Sequence, residues 1–326
     1  MTKFIRRLQK IGSTILVSLP KEWVDDNKLS KGTEVEIETG QNSISITINK
    51  DSKPSKEVII SYPLPKEENI SADLTGAYLL GYDIIRIKGK TTIPVNDREK
   101  ILESIRRLVG VEIVEEDSSN INIQFLLDAT SLSPEKILRR MSTIALGMFN
   151  DTLNSLLSDD KTNLQTLPNR DDEINRQYFL LVRLIRSTMM DKRLASAFNM
   201  ENIDILDFRI AANLLETVGD TIVELGNLIS KTSISKNNLK KIYDVVKEIE
   251  TIHKKSISAF ITNNRLQAID AIKLHKQFQK EITDFRSTLE HKKQIPIDLL
   301  DIVYTYERIA RSWADITDLI QPIYRK

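Results

Sequence analysis

Residues 207–230, DFRIAANLLETVGDTIVELGNLIS, constrain the fold more than any other stretch of the chain. Ile210, Leu214, Val218, Ile222, Leu225 and Ile229 recur at three- and four-residue intervals, the period of an amphipathic helix with one buried stripe. A second stripe, Glu216, Asp220 and Glu224, stacks three carboxylates on successive turns, because i and i+4 share a helix face. Like charges at that spacing cost an isolated helix about 0.2–0.5 kcal/mol per pair. A basic neighbour, solvent or a metal ion can offset that cost, and the sequence leaves the three open.

The pattern occurs twice. With an offset of 91 residues, Glu216 falls on Glu307, Glu224 on Asp315, Leu228 on Leu319 and Ile229 on Ile320, whereas Asp220 falls on Arg311. Such self-similarity indicates a duplicated unit whose copies bury their apolar faces on each other. Helical periodicity covers about 134–158, 169–193, 201–230, 236–262, 265–290 and 297–322, with Leu167-Pro168-Asn169, Asn199-Met200, Ser235, Asn263-Asn264 and Ile295-Pro296 as breaks. Ser133-Pro134-Glu135 opens the first helix with an N-cap serine, proline at N1 and an acid in the first turn. Six helices in two groups of three predict an all-α bundle over 133–326, with repeats at about 133–232 and 236–322. Trp313 and Tyr306 stand at core spacing.

Upstream, Asp51-Ser52-Lys53-Pro54-Ser55-Lys56 reads as a polar linker. Between about 55 and 130 the order is strand (58–62), helix (70–80), strand (82–87), helix (98–108), strand (111–114) and strand (121–127). That order predicts a small α+β layer resembling the ferredoxin-like class, with a further strand near Thr91–Pro94 undecided. The glycines there are too scattered for a phosphate loop, and the layer reads as a spacer or oligomerisation element in preference to a ligand sensor.

Residues 1–21 carry Lys3, Arg6, Arg7, Lys10 and Lys21 and no acid, although the whole chain is nearly neutral at +1. The alternating runs Glu34-Val35-Glu36-Ile37-Glu38 and Ser43-Ile44-Ser45-Ile46-Thr47-Ile48 are strands with one apolar face, and the alternation puts Glu34, Glu36 and Glu38 opposite Val35 and Ile37. Four short strands and one turn of helix have too little core for a stable monomer, so they call for burial against a partner.

This N-terminal pattern resembles the AbrB/SpoVT family. The resemblance rests on Gly12-Ser13-Thr14, Val17-Ser18-Leu19-Pro20-Lys21-Glu22-Trp23, Leu29 and Lys31-Gly32, and covers about residues 3–49. It implies a swapped-hairpin β-barrel dimer that binds DNA, with a domain at 1–50. Carried over, the DNA-contacting candidates are Lys3, Arg6, Arg7 and Lys10, with Lys21 behind them. The plainer reading is a dimerisation module with solvated charges, since cationic clusters give affinity without proving sequence readout.

The helical third resembles the PhoU family of phosphate-uptake regulators. The residues are Asn213-Leu214-Leu215-Glu216-Thr217-Val218-Gly219-Asp220, its echo Tyr306-Glu307-Arg308-Ile309-Ala310, and Asp171-Asp172-Glu173-Ile174-Asn175 on an earlier helix. An AbrB-like module ahead of a PhoU-like bundle also resembles an archaeal type of PhoU-related protein. The resemblance implies iron or zinc held by paired carboxylates. Here the first half offers Asp171, Glu216 and Asp220, with Asn175 where an acid is expected and Asp172 as a substitute. The second half offers only Glu307 and Asp315, because Arg311 takes an acid's place and suits an ion pair with Glu307 better than a shared cation. The opposing reading is a solvated or salt-bridged acidic face.

Taken together, these features predict a multidomain α+β chain: swapped-hairpin barrel, ferredoxin-like layer and PhoU-like bundle. The absence of cysteine excludes disulfides and thiolate metal sites. His253, His275 and His291 have no HxxxH or HExxH spacing, and no GxGxxG, GxxxxGK or GxSxG pattern occurs. No apolar run reaches the ~20 residues of a bilayer span and the N-terminus lacks a signal-peptide core, which predicts a cytoplasmic protein. The expectation is a non-enzymatic homodimeric regulator of phosphate metabolism that binds DNA. The PhoU resemblance implies a phosphate ABC transporter ATPase or a sensor kinase as partner. The alternative is an adaptor that inhibits such a transporter by contact, its barrel serving only to dimerise. A metal-dependent enzyme would need a general acid or base beside an open metal position, which the sequence does not supply.

Overall fold

A computed structural model of the chain describes residues 3–40, 42–48, 55–65, 68–290 and 294–320. Residues 51–54 of the expected linker, His291 and the last residues of the final expected helix lie outside them. The chain divides into two compact units, Met1–Pro54 and Ser55–Lys326, so the layer and the bundle expected as separate domains share one unit.

The first unit holds two antiparallel hairpins, β1 (Gln9–Ile11) with β2 (Thr14–Leu16) and β3 (Glu36–Thr39) with β4 (Ile44–Thr47), and the short helix α1 (Lys21–Asp26) between them. Gly12 takes φ +60° in the two-residue turn of the first hairpin, backbone that glycine enters without a Cβ penalty. In the second hairpin Ile37 pairs with Ile46. Directly opposed residues share a face, so the expected separation of apolar and acidic sides holds there. Each hairpin is a sheet of its own, and among the described residues of this unit none is buried.

The second unit begins with β5 (Glu57–Tyr62), α2 (Ile70–Leu79), β6 (Ile84–Gly89), α3 (Val95–Arg106), β7 (Val111–Glu116) and β8 (Asn120–Phe125). The element order is the expected one, and no strand forms at 91–94. The topology corrects the ferredoxin-like expectation. The strands run β5-β6-β8-β7, with β5 parallel to its neighbour β6 and the other pairs antiparallel. A ferredoxin-like sheet splits its βαβ units, but here β5–α2–β6 is unsplit and a β7–β8 hairpin completes the sheet. Ile60, Ile85, Ile87, Ile121 and Ile123 face α2 and α3 in one core. The other face is polar, with Arg86 paired to Glu57 at 2.6 Å and Asn122 bonded to Glu115 at 2.7 Å. One wet and one packed face explain the alternation along these strands.

The bundle follows as α4 (Pro134–Leu157), α5 (Leu167–Met190), α6 (Lys192–Ala197), α7 (Asn202–Lys231), α8 (Lys236–Val246), α9 (Ile249–Thr262), α10 (Arg265–Glu290) and α11 (Ile297–Asp315). Ser133 caps α4 as expected, its hydroxyl accepting from the Lys136 amide at 3.3 Å. α5 stops before its expected end because Asp191 turns extended and caps α6. The helix expected over 236–262 breaks after Val246. No glycine or proline marks that point, and both flanking residues, Val246 and Ile249, are buried, so apolar periodicity runs straight through. α4, α5 and α7 pack on one another, as do α9, α10 and α11, and α7 lies on α11.

In α7 the buried stripe is Ala211, Ala212, Leu215, Val218, Ile222, Leu225 and Ile229. Ile210, expected in it, is 39 % exposed, because the stripe drifts around the helix and small alanines take the contact. Tyr306 and Trp313 are fully buried as expected and meet the Phe149 ring edge-on at 5.9 and 5.1 Å. The His253 ring lies tilted against Trp313 at 4.4 Å and bonds Ser142 through Nε2 at 2.9 Å. Burial pushes its imidazole down to about 3, so it is a neutral group of the core.

Layer and bundle are joined by α5. Arg183, its side chain 4 % exposed, donates through Nη1 to the carbonyls of Tyr78 and Tyr82, each at 2.8 Å, and through Nη2 to Asp83 at 3.1 Å. Its guanidinium lies 3.9 Å from the centre of the Phe125 ring. The Tyr78 carbonyl belongs to the last turn of α2, where helix acceptors lack intrahelical partners and the dipole favours a cation.

Candidate functional site

Two charged regions stand out, one in each unit. In the first unit Lys3, Arg6, Arg7, Lys10 and Lys21 are all exposed. Lys3, Arg6 and Arg7 precede β1, Lys10 lies in β1, and Lys21 opens α1. Arg6 lies over the Phe4 ring at 5.6 Å and donates to the Ile5 carbonyl at 3.3 Å. Among the described residues none of the five joins an ion pair. Ile5, Leu8, Ile11, Ile15, Ile37 and Ile44 are exposed at 58–93 %. That apolar surface accompanies the cations on a unit with no core of its own, a combination that marks an interaction surface.

The second region is the acidic cluster of α5 and α7, and the structure gathers the residues expected there. Asp171 is buried at 9 % exposure, Glu216 is half-buried and Asp220 is exposed. Asp171 Oδ2 accepts from Asn175 Nδ2 at 3.2 Å, while Oδ1 has no partner among the described residues. Gly219 is what lets Asp171 lie against α7, since a Cβ there would collide with Asp171 Oδ1. Burial, then the like charges of Asp220, Glu216 and Asp172, push the Asp171 carboxyl up to about 7. Burial and Asp220 also raise Glu216, against the pull of Arg209. The pair behaves as two carboxyls competing to stay ionised on one site. Asp172, the expected substitute ligand, is exposed.

Glu224, the third member of the stripe, is offset by a basic neighbour: Arg308 of α11 donates to it at 2.6 Å. In the second half of the bundle the expected Arg311–Glu307 pair does not form. Glu307 pairs instead with Arg286 of α10, and Arg311 makes no hydrogen bond or ion pair among the described residues. Glu307 and Arg311 stand at a spacing that permits a pair, but Arg286 of the neighbouring helix takes the carboxylate instead. Asp315 is raised by burial and by Asp318, with Arg311 and His275 acting the other way.

The donors of the first-half cluster are all oxygens and one is orphaned, which suits a hard or borderline cation chemically. Among the described residues, however, no group of three or more His, Asp or Glu side chains is arranged to hold a metal ion. Sequence reasoning missed Arg183, Arg286 and Arg308. Arg183 had a visible signal, a lone charge inside Leu180-Leu181-Val182-Arg183-Leu184-Ile185. The other two had none, since their partners lie 21 and 84 residues away.

Residues 138–229 match the family model described as PhoU domain, and residues 8–57 match the one described as antidote-toxin recognition MazE, bacterial antitoxin. The chain therefore carries a PhoU domain within its bundle and a MazE/AbrB-like domain at its N-terminal end. Comparison with curated proteins gives no match. Among solved structures, PhoU from Pseudomonas aeruginosa is similar at 15 % identity and a TM-score of 0.41, over 57 % of this chain and 93 % of that one. Among the described residues no helix is long and apolar enough to cross a membrane.

Proposed function

We propose that the chain is a non-enzymatic, homodimeric regulator of phosphate uptake or metabolism that binds DNA through its first unit and receives its signal through the helical bundle. The observation that carries the reading is the first unit itself: five exposed cations, none in an ion pair, and no buried residue among the described residues. Such a unit needs another surface to fold against. A second copy supplies one, the exposed isoleucines of both hairpins closing a shared barrel. The family matches support the same assignment, MazE/AbrB-like at the N-terminal end and PhoU in the bundle. A two-fold dimer presents Lys3, Arg6, Arg7 and Lys10 twice, with Lys21 behind, and so reads two half-sites of a symmetric element.

Fluorescence anisotropy with the full chain, its own upstream DNA and a phosphate-transport promoter tests this across a salt series. Each released phosphate counterion contributes about −0.9 to the log–log salt slope. Changing Arg6 and Arg7 to alanine in both copies therefore flattens the slope by about 3–4 and abolishes specific binding. Binding that ignores both sequence and the two arginines would reject the DNA reading in favour of an adaptor that only dimerises through this unit and contacts a transporter or kinase through the bundle.

The acidic cluster is, on the same proposal, where iron or zinc would be held, with Asp171, Glu216, Asp220 and Asn175 as oxygen donors; such a cation would supply charge neutralisation there. In the second half Glu307 is paired with Arg286, so Glu307 and Asp315 would make at most a weaker site there.

A further inference from the structure

The α10–α11 surface holds a cavity of about 270 Å³ that the acidic cluster does not account for. Gln279, His275 and Arg286 line it from α10, and Tyr304, Glu307, Arg308 and Arg311 from α11. The α11 residues fall at i, i+3, i+4 and i+7, one face of that helix. Buried Phe278 forms an apolar part of the wall. Three guanidiniums thus converge on a space whose walls contain one carboxylate.

These arginines offer roughly fifteen N–H donors in rigid forks. Among the described residues three bonds are made: Arg286 to Glu307, and Arg308 to Glu224 at 2.6 Å and to Thr221 at 3.5 Å. Arg311 makes none. Beyond the walls, Glu224 on α7 and Asp315 on α11 bring the local charges near balance, so the ligand-free site is stable without a counter-ion. What is in excess is directional donors, and that excess selects a compact, multiply charged oxyanion.

We infer that this pocket binds a phosphate group, free or as the terminal monoester of a small molecule, with Arg311 as its first donor and Arg286 and Arg308 recruited from Glu307 and Glu224. Pocket size agrees, since about 270 Å³ lies below the usual range for larger organic ligands. Arg308 makes occupancy consequential. Drawing it into the pocket frees Glu224, one turn beyond Asp220 on α7, so ligand and α7 carboxylate compete for one guanidinium. The choice of phosphate as the first probe rests on the proposed function; the donor geometry does not.

Isothermal titration of the full-length protein with inorganic phosphate, and separately with glycerol 3-phosphate, tests the inference. The tighter of the two names the source of the group. Arg311→Gln, an exposed change, is expected to weaken binding at least tenfold. Glu224→Gln and Glu307→Gln free Arg308 and Arg286 and are expected to tighten it severalfold, an effect that structural damage would not produce. No binding of either compound at ~10 mM, tenfold above a 1 mM dissociation constant, in wild type and Glu224→Gln would overturn the inference, as would binding indifferent to Arg311→Gln. DNA binding is measured in a separate assay on residues of the other unit, so either reading can fail alone.

Discussion

Arg183→Met is expected to destabilise the second unit by about 2–3 kcal/mol, because it removes a buried guanidinium that bonds two carbonyls and the partly exposed Asp83 carboxylate. The variant keeps side-chain volume but leaves the Tyr82 carbonyl without its side-chain donor and Asp83 without its cation, while the Tyr78 carbonyl keeps only the Gly81 amide at 3.0 Å. Each orphaned buried acceptor costs about 1–3 kcal/mol. Loss of the guanidinium over Phe125 removes a further contact that an apolar chain replaces only in part. Arg183→Lys is not expected to rescue, because one ammonium cannot present a planar fork to two carbonyls and a carboxylate at once. Urea unfolding followed by tryptophan fluorescence and by circular dichroism should show the α+β layer melting ahead of the bundle, since Trp313 reports on the bundle core. A single transition at the wild-type midpoint by both probes would refute this role for Arg183.

Asp171→Asn is expected to stabilise the protein, and increasingly so as pH rises. The folded-state carboxyl titrates near 7, above its ordinary value of 3.8. Between those values the folded state holds a proton that the unfolded state has released, so stability falls as pH rises through this window and is level above about 7. Burial and the like charges on Asp220 and Glu216 cause the cost, which reaches about 4 kcal/mol at most at 1.36 kcal/mol per pH unit. With chelator present, the asparagine variant should gain roughly 2 kcal/mol more over wild type at pH 8 than at pH 5. Parallel stability curves for the two proteins from pH 4 to 8 would show that the cluster is not strained by its charge. Added zinc or ferrous ion tests the cation proposal in the same experiment: it should restore wild-type stability at pH 8 and leave Asp171→Asn unmoved.

The cluster is also where sequence and structure meet most closely. Glu216 and Asp220 were legible as one stripe because i, i+4 geometry is local, and Asp171 was legible as a carboxylate on an earlier helix. Their meeting needed Gly219, whose missing side chain lets α5 approach; the glycine was visible, but its role depends on which helix packs there. The second half shows the limit from the other side. Arg311 at an acid position predicted the loss of a carboxylate pair, yet Glu307 found Arg286, and Arg311 makes no hydrogen bond or ion pair among the described residues.

Periodicity, caps and composition by themselves determined the class of each region: half-apolar hairpins with a cationic start, an α+β layer, and helices opening at Ser133 and breaking near Asn199 and Asn263. These rest on interactions within a few residues, and a sequence records them directly. Only the tertiary structure decided the sheet order β5-β6-β8-β7, the break between α8 and α9, the docking of layer on bundle through Arg183, and the three arginines converging between α10 and α11. Each of those depends on partners far apart in the chain, where the free-energy difference between alternatives comes from packing and desolvation that no local pattern encodes.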